Sequence, residues 1–561
     1  MLKVNRTFRT LGMMAMSLVI GVSVSSCISR DTHANADTTQ AILAPFQDIG
    51  QSYAKSQISD LYNKQILSGV GNGLFEPARP VTRAEFLTML DRLLHIQPVQ
   101  ASIPAFSDVS PDSWEYPWVQ AGINLQLAYG VDSHTFAPNS PVTREEAAAM
   151  LARAIQPLAG NLQSATGAGP APFADMNLVH SFASTYVQQM QAWGIIHGDE
   201  QNDFRPMDPL TREEVAVMFE NVLQKLPALQ SNTSAAAATA TNGNGTSASL
   251  IQLGWQYNQS TADFEASVQA SNTINTLAPR WFYLGKNGQI QVSGTLDSSL
   301  VTWAHQNGKH VWALVGNRFD MDTTRQVLSQ ENQRQQLIQQ LAGYAKQYNL
   351  DGINIDFENL DPNHASDFST FIQELASVLH RQNVLLSVDI PPDSGTDWSQ
   401  PFNDQALGQS ADYLVMMGYD EHWANDPTAG SVSSLPWLDK GLTTLLVHVP
   451  AQKVIVGLPF YTRGWYQTNG QSSSTEYSIA QEENVVKQAN ASLIWNDSLG
   501  QYVTQFATGG TSQTVWVEDS RSLSLKAHLA LTKGIAGFAY WYMGGETADV
   551  WTSLSNVFRL K

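Results

Sequence analysis

Three segments in the N-terminal part of the chain repeat the same order of residues, and this constrains their fold more than any other feature. Each segment opens on Phe-x-Asp, at residues 46–48, 106–108 and 173–175. Each continues to x-Phe-x-Pro, at residues 74–77, 135–138 and 203–206. Each closes on an apolar residue followed by Thr-Arg-x-Glu, at residues 81–85, 142–146 and 210–214. Such a register predicts three copies of one helical unit that bury their apolar faces together.

The closing motif predicts a helix start in each copy. A Thr followed three residues later by Glu forms a capping box, which explains both residues by structure alone. The intervening arginine opposes the helix dipole and therefore needs another reason. A guanidinium beside free helix N–H groups suits a carboxylate ligand. The alternative is a repeated salt bridge that holds the three units together. The three arginines are Arg83, Arg144 and Arg212.

These segments resemble S-layer homology domains over roughly residues 43–225. The resemblance implies a mainly α-helical region of three domains, at residues 43–98, 99–160 and 168–226. It also implies a partner, the pyruvylated secondary cell-wall polymer, whose ketal carries a carboxylate. Arg83, Arg144 and Arg212 are then the expected wall-polymer-binding residues.

The first residues of the chain predict export. A basic start is followed by an apolar run at residues 11–24, which is too short to span a bilayer comfortably. Val24-Ser25-Ser26-Cys27 comes next and contains the single cysteine of the chain. It resembles the lipobox of bacterial lipoproteins, which implies a signal peptide at 1–27, lipid attachment at Cys27 and a tether at 28–42. The protein would then lie on the extracellular face of the cell envelope, anchored to the membrane. The alternative is an ordinary secretory signal with a chance cysteine.

Strand-like and helix-like segments alternate from residue 250 to the C-terminus. Strands are expected at residues 250–257, 280–284, 310–315, 352–357, 384–390, 413–417, 454–458 and 535–542. Helices lie between several of them, as at 334–347 and 366–381. This order predicts an α/β fold, a (β/α)8 barrel with catalytic residues at the carboxyl ends of its strands. An extra stretch at about 468–514 predicts a small α+β insertion, and the low-complexity residues 227–249 predict a flexible linker.

Residues 350–359 alternate polar and apolar side chains at the end of the fourth expected strand. Asp356 and Glu358 would lie on one face, and neighbouring carboxylates raise the pKa of one of them. A carboxylic acid that keeps its proton is what a glycosidase needs for its leaving group. The same pattern also fits a plain solvated strand edge, since perturbed carboxylates occur structurally as well.

Residues 351–358 resemble the Asp-Gly-x-Asp-x-Asp-x-Glu signature of family 18 glycoside hydrolases, in the branch that acts on bacterial and spore cell walls. Asn354 departs from it, standing where many chitinases have Asp. Three further segments resemble the family's strand-end motifs, at residues 416–420, 457–465 and 537–541. The resemblance implies catalytic roles for Glu358, Asp356, Tyr419 and Asn354. It implies substrate contacts for Trp541, Asp351, Met417, Asp420, Tyr461 and Arg463.

The family mechanism implies retention of configuration through attack by the 2-acetamido group of the substrate. The expected substrate is peptidoglycan, cut at β-1,4 bonds after N-acetylglucosamine. The alternatives are chitin or its oligosaccharides, and a catalytically inactive barrel that binds glycan. Asn354 is expected to donate a hydrogen bond to Asp356, leaving Glu358 a single carboxylate neighbour. No cofactor is expected. His422 has no second His or Cys at ligand spacing nearby, so no metal site is expected there. The net charge of −19 makes a nucleic-acid partner unsuitable.

Overall fold

The computed structural model describes residues 45–158, 171–226, 239–241, 247–468, 471–508 and 511–560. The expected signal peptide, Cys27 and the tether at 28–42 lie outside these residues. Within them, no helix combines the length and the apolar character needed to cross a membrane.

The N-terminal region is helical, as expected. Its helices are α1 (Lys55–Asn63), α2 (Arg83–Leu93), α3 (Tyr116–Asn124), α4 (Arg144–Ile155), α5 (Ser181–Ala192) and α6 (Arg212–Lys225). The predicted capping boxes are present at the starts of α2, α4 and α6, where the Thr side chain accepts from the backbone N–H of the Glu three residues on. The first turns of these three helices are therefore satisfied by local sequence.

The three repeats close into a ring through main-chain hydrogen bonds. Val81 N–H donates to Leu210 (2.9 Å), Leu210 N–H donates to Val142 (3.0 Å), and Val142 N–H donates to Val81 (2.9 Å). The Asp of each Phe-x-Asp motif supports the following turn, as Asp48 does by accepting from Phe75 N–H (2.9 Å) and Glu76 N–H (2.7 Å). The repeats are thus one cooperative unit around a pseudo-threefold axis.

The repeated arginines hold this ring together. Arg83 of the first repeat donates to the main chain of Phe136 (2.9 Å) and to Glu146 (2.8 Å) in the second. Arg144 makes the same contacts from the second repeat to Phe204 and Glu214 in the third. Arg212 returns from the third repeat to the carbonyls of Phe75 and Ser68 in the first.

Arg83 and Arg144 both donate to a carbonyl and a carboxylate of the next repeat, and each lies over a phenylalanine ring. Their expected role in binding the wall polymer stays a prediction. Arg212 is also engaged and only 2% exposed, although it borders a groove described below. The repeated contact between units, which is the alternative interpretation, is present in all three repeats.

Two short strands within the predicted linker, β1 (Thr239–Thr241) and β2 (Ser247–Ser249), pair in antiparallel orientation.

The barrel follows the linker. Its strands are β3 (Ile251–Trp255), β4 (Thr276–Ala278), β5 (Arg280–Leu284), β6 (Ile290–Val292), β7 (His310–Gly316), β8 (Gly352–Asp356), β9 (Leu385–Ile390), β10 (Tyr413–Met417) and β11 (Val454–Pro459). The strand that completes it comes after the insertion.

The insertion is a five-stranded antiparallel sheet with one helix. Its strands are β12 (Tyr461–Thr468), β13 (Gln471–Ser478), β14 (Leu493–Asn496), β15 (Gln501–Thr508) and β16 (Thr511–Trp516). The last barrel strand is β17 (Gly537–Trp541). The helices of this half are α7 (Thr261–Ser271), α8 (Ser299–Gln306), α9 (Met321–Ser329), α10 (Glu331–Gln347), α11 (Ala365–His380), α12 (Asp404–Ser410), α13 (Leu435–Leu445), α14 (Ile479–Gln488), α15 (Ser520–Thr532) and α16 (Ala548–Arg559).

The barrel closes as the sequence predicts. Its parallel strands run in chain order from β3 to β17, with β17 beside β3 and both β4 and β5 beside β7. The eight predicted strand positions all carry strands. Because the strands are parallel, their carboxyl ends open at one face of the barrel, and that face is where side chains from different strands meet.

The repeats and the barrel share side chains in common cores. Leu560, just after α16, lies in the apolar core of the repeats, and Ile103 of the second repeat lies in the core of the insertion. Asn556 on α16 accepts from Gln97 N–H and donates to Gln97 C=O, both at 2.8 Å. Buried Asn124 on α3 donates to Ser520 and Ser553 of the barrel half. The two halves are therefore packed together rather than merely linked.

Candidate active site

Two acids end the fourth barrel strand at the open face. Asp356 is the last residue of β8 and is 9% exposed, while Glu358 follows two residues later and is partly exposed. Burial raises the pKa of Asp356 to about 6. Burial raises the pKa of Glu358 well above its usual range, and the nearby charges of Asp356 and Asp420 add to the effect. Glu358 can therefore hold a proton where an ordinary carboxyl group has lost it.

Asn354 precedes Asp356 by two residues on β8, so both side chains lie on one face of the strand. Asn354 is fully buried. Its Oδ1 accepts from the indole N–H of Trp255 (2.9 Å), which fixes the orientation of its amide. Its Nδ2 donates to Asp389 Oδ1 (2.7 Å) and to Ser387 Oγ (3.0 Å). The expected hydrogen bond from Asn354 to Asp356 is therefore wrong, because both amide protons go to the neighbouring strand.

The partner of Asn354 is a third carboxyl group that sequence reasoning missed. Asp389 is 2% exposed and lies near the end of β9. Burial raises its pKa well above the usual range, and Asp356 and Glu358 raise it further. The signal was present, since Asp389 is an acid near the end of the fifth predicted strand, where the same rule that identified Asp356 applies.

Asp420 and Tyr461 form a pair above these acids. The Tyr461 hydroxyl donates to Asp420 Oδ1 at 2.5 Å. Burial raises the pKa of Asp420, while the hydrogen bond from Tyr461 and the charge of Arg463 lower it. Arg463 itself pairs with Glu476 of the insertion at 3.0 Å. Glu358 thus has both Asp356 and Asp420 as charged neighbours, so the expectation of a single carboxylate neighbour is wrong.

Aromatic rings line the same end of the barrel. Trp541, at the end of β17, lies 5.8 Å from Trp255 and 6.5 Å from Tyr419 between ring centroids. Tyr257 lies 5.3 Å from Trp541. Met417 is buried in the same cluster as Trp255 and Tyr419. These residues form an apolar wall beside the acids, of the kind that stacks against the apolar face of a sugar.

Asn317 was also missed. It follows β7, is 2% exposed, and bonds the main chain of Glu358 twice, accepting from N–H (3.0 Å) and donating to C=O (2.7 Å). Its Nδ2 also donates to Thr324 Oγ1 (3.0 Å). An Asn directly after a barrel strand is a weak signal by itself, so sequence alone does not single it out.

Asp351 lies at the other end of the barrel, and its expected contact with substrate is wrong. It immediately precedes β8 and accepts from Val311 N–H (2.7 Å) while pairing with His305 Nε2 (2.8 Å). The strand between Asp351 and Asp356 separates the two faces, so Asp351 joins β7 to β8 rather than lining the site.

Among the described residues, no group of three or more His, Cys, Asp or Glu side chains is arranged to hold a metal ion. The chemistry available at this end of the barrel comes from its acids, its aromatic rings and the tyrosine hydroxyls.

Comparison with known proteins places both halves of the chain. The model of the S-layer homology domain matches residues 45–87, 105–148 and 172–216, which indicates association with the cell surface. The barrel is 29% identical over 307 residues to a Bacillus subtilis protein described as an uncharacterized glycosylase, covering 52% of this chain and 88% of that one. It is 24% identical over 305 residues to the cortical fragment-lytic enzyme of the same organism, covering 53% and 70%.

A solved chitinase from Chromobacterium violaceum has the same fold, with a TM-score of 0.52 at 22% identity over 55% of this chain and 99% of that one. The model of glycosyl hydrolases family 18 matches residues 253–546, which hold the whole site described above. With its strand-end acids inside that match, the chain belongs to glycosyl hydrolases family 18, and it carries three S-layer homology domains ahead of the barrel.

Proposed function

We propose that the barrel hydrolyses β-1,4 bonds after N-acetylglucosamine in peptidoglycan, with retention of configuration. The observation that carries the proposal is the pair formed by Glu358 and Asp356. Glu358 holds its proton because burial and two nearby carboxyl groups raise its pKa, and Asp356 lies beside it at the end of the same strand. One acid and one orienting carboxylate are what a substrate-assisted glycosidase requires.

In the proposed reaction the acetamido oxygen of the substrate attacks the anomeric carbon of its own sugar. The bond to the leaving oxygen breaks while Glu358 donates its proton to that oxygen. An oxazolinium ion forms, Asp356 accepts the acetamido N–H and balances the positive charge, and the Tyr419 hydroxyl donates to the acetamido oxygen. Glu358 then takes a proton from water, whose oxygen bonds the anomeric carbon from the face that the leaving group left. The bond between that carbon and the acetamido oxygen breaks, and the oxazolinium ring opens. Trp541 stacks against the sugar.

Peptidoglycan is preferred over chitin for two reasons. One relative that covers the barrel is named a cortical fragment-lytic enzyme. The S-layer homology domains would place the barrel beside the wall glycan. Chitin and its oligosaccharides contain the same N-acetylglucosamine unit and are the second candidate, which the substrate test separates.

We also propose that the repeats bind the pyruvylated wall polymer through a groove between the third and first repeats. This cavity of about 640 Å³ is lined by Arg79, Arg92 and Arg212, by Glu76 and Glu85, and by Trp114 of the second repeat. Glu85 has the position that Glu146 and Glu214 have in the other two repeats, but its ion pair at 2.6 Å is with Arg79. A carboxylate on the polymer would pair with Arg92, because Arg79 is already paired with Glu76 and Glu85.

The first segment of the chain adds an export proposal. We infer a signal peptide at 1–27 with lipid attachment at Cys27, which would place the enzyme on the extracellular face of the envelope. Mass analysis of the mature N-terminus tests it, and a Cys27→Ser variant that stays associated with membranes would contradict it.

The substrate test uses purified peptidoglycan and chitin tetrasaccharide with the whole protein. Products are reduced with borohydride and their reducing ends identified by mass spectrometry. New N-acetylglucosamine ends from peptidoglycan support the proposal, and products from chitin alone favour the second candidate. A Glu358→Gln variant, which keeps the shape of the acid, should lose at least about 10²–10⁴-fold in rate.

Substrate assistance has its own test. Peptidoglycan that has lost its N-acetyl groups cannot supply the attacking oxygen, so it should resist cleavage although its bonds are unchanged. Equal cleavage of acetylated and de-acetylated glycan would overturn the mechanism while leaving the glycosidase activity in place.

The anchoring test is sedimentation of the protein with purified cell walls. Replacement of Arg92 by Ala should reduce the bound fraction. Arg153 is the matched control, because it has the same position on α4 and also lies over aromatic rings, as Arg92 lies over Trp118, but it does not line this groove. Loss of wall binding in Arg153→Ala but not in Arg92→Ala would contradict the assignment of this groove.

A further inference from the structure

Three carboxyl groups form a row on the inner wall of the barrel. Strands β8 and β9 are parallel neighbours, and their register pairs Asn354 with Ser387 and Ile355 with Val388. Asp356 and Asp389 lie two residues beyond Asn354 and Ser387. Because side chains alternate along a strand, these two acids point to the same side of the sheet. Adjacent strands are about 4.8 Å apart, which puts the two carboxyl groups side by side. Glu358 continues the row.

The surroundings of Asp389 do not favour a negative charge on it. Asp389 is 2% exposed, and the titratable groups that face it are Asp356, Glu358 and Tyr419. The positive charge of Arg280 lowers the pKa of both Asp356 and Glu358. Burial and the charges of Asp356 and Glu358 raise the pKa of Asp389, and the hydrogen bond from the neutral amide of Asn354, a smaller effect than burial, lowers it. Two buried negative charges side by side are costly, so one of the two carboxyl groups keeps its proton.

The orientation of Asn354 indicates how that proton is used. Because the Trp255 indole donates to Asn354 Oδ1, the amide must present its N–H groups to Asp389 and Ser387. Asp389 Oδ1 is therefore an acceptor, and the second oxygen of Asp389 is the one that can carry a proton toward Asp356.

We propose that Asp389 is a positioning residue that stays protonated and donates a hydrogen bond to Asp356, which holds Asp356 ionised and oriented. The proton remains on Asp389 throughout the reaction, and no bond to substrate forms there. In this arrangement the neutral Asn354 orients the protonated carboxyl group rather than sharing a proton itself. The catalytic consequence rests on the proposed function, whereas the protonation state does not.

The first test does not depend on activity. The infrared spectrum of the whole protein at neutral pH is compared with that of Asp389→Asn. We expect the wild type to show the carbonyl band of a protonated carboxylic acid that the variant lacks. Ser387→Ala is the control, because it removes the other acceptor of the same amide and leaves the carboxyl group. If Asp389→Asn instead lacks a carboxylate band of the wild type and keeps the acid band, the proposal is overturned.

The second test is the acidic limb of the pH dependence of kcat/KM, which reports the ionisation of Asp356. Asp389→Asn keeps a hydrogen-bond donor beside Asp356 and should leave the limb in place. Asp389→Leu removes the donor and should move the limb about one pH unit upward. A limb that moves to lower pH in Asp389→Asn shows that Asp389 carried a negative charge, and this overturns the proposal even if Asp389→Leu fails to fold.

The two tests separate the failure of this proposal from the failure of the proposed function. A protein with no activity on any N-acetylated glycan would contradict the glycosidase assignment, and the infrared difference would still decide the protonation of Asp389.

Discussion

Asn317 holds the main chain of Glu358 from both sides, accepting its N–H at 3.0 Å and donating to its C=O at 2.7 Å. The position of Glu358 is therefore fixed by the loop after β7 as well as by its own strand. This relationship gives a first prediction.

Replacement of Asn317 by Ala should lower kcat about 10- to 100-fold with little change in KM, because a small displacement of the acid slows proton transfer more than it weakens binding. Steady-state kinetics on peptidoglycan fragments measures the effect. Thr324→Val is the control, since it removes the hydrogen bond from Asn317 to Thr324 and leaves those between Asn317 and Glu358 in place. Equal losses in both variants would indicate a general disturbance of the loop.

The charge of Asp420 supports the proton on Glu358. Asp420 raises the pKa of Glu358, so Asp420→Asn should lower that pKa and move the alkaline limb of kcat/KM to lower pH. The sign follows because Glu358 must be protonated to act as an acid. Tyr461→Phe removes a hydrogen bond that lowers the pKa of Asp420, so it should weaken the charge on Asp420 and move the limb in the same direction by a smaller amount. An alkaline limb that stays in place in Asp420→Asn would contradict the electrostatic account.

Asn354→Asp tests the neutral position in the row of acids. The added carboxyl group beside Asp389 opposes ionisation of Asp356, so activity should persist while the acidic limb moves to higher pH. The double variant Asn354→Asp/Asp389→Asn keeps the number of acids constant and should return the limb toward that of the wild type. A pH–rate profile that is unchanged in the single variant would contradict the argument.

Much of the architecture follows from the sequence because it depends on local patterns. The repeats and their capping boxes, and the eight strand positions, are read from spacing alone. The partners of Asn354 and Arg83 are not, because both reach residues on other elements, and the sequence does not show which neighbour is within reach. Asp351 belongs to the same motif as Glu358, yet five residues of strand place it at the opposite end of the barrel.

The ring of repeats should be sensitive to its arginines. Arg83→Met keeps the bulk of the side chain but leaves Glu146 and two carbonyls without their partner, which should cost about 3–5 kcal/mol of unfolding free energy. Urea denaturation of the whole protein measures this. Arg205→Ala, at an exposed arginine with ion pairs of 3.6–3.9 Å, is the control and should cost less than about 1 kcal/mol. Equal costs would contradict the structural role of Arg83.

The contact between the repeats and the barrel gives a stability prediction. Asn556→Ala removes both hydrogen bonds to Gln97 and should lower stability by about 1–2 kcal/mol, with a lower melting temperature by calorimetry. Thr552→Ala on the same helix bonds only within α16 and should have little effect. Two separate transitions in the wild type would contradict a shared core.

The packing of Leu560, Ile103 and Asn556 between the two halves also limits where the open face of the barrel can lie relative to the repeats. A catalytic domain on a free tether sweeps a volume set by the tether, whereas this barrel cannot turn relative to the repeats. Once the repeats hold the wall, the open face would meet glycan strands at one height and one direction. The supply of cleavable bonds would then depend on the movement and turnover of the wall, and the spacing of polymer sites would set the spacing of cuts.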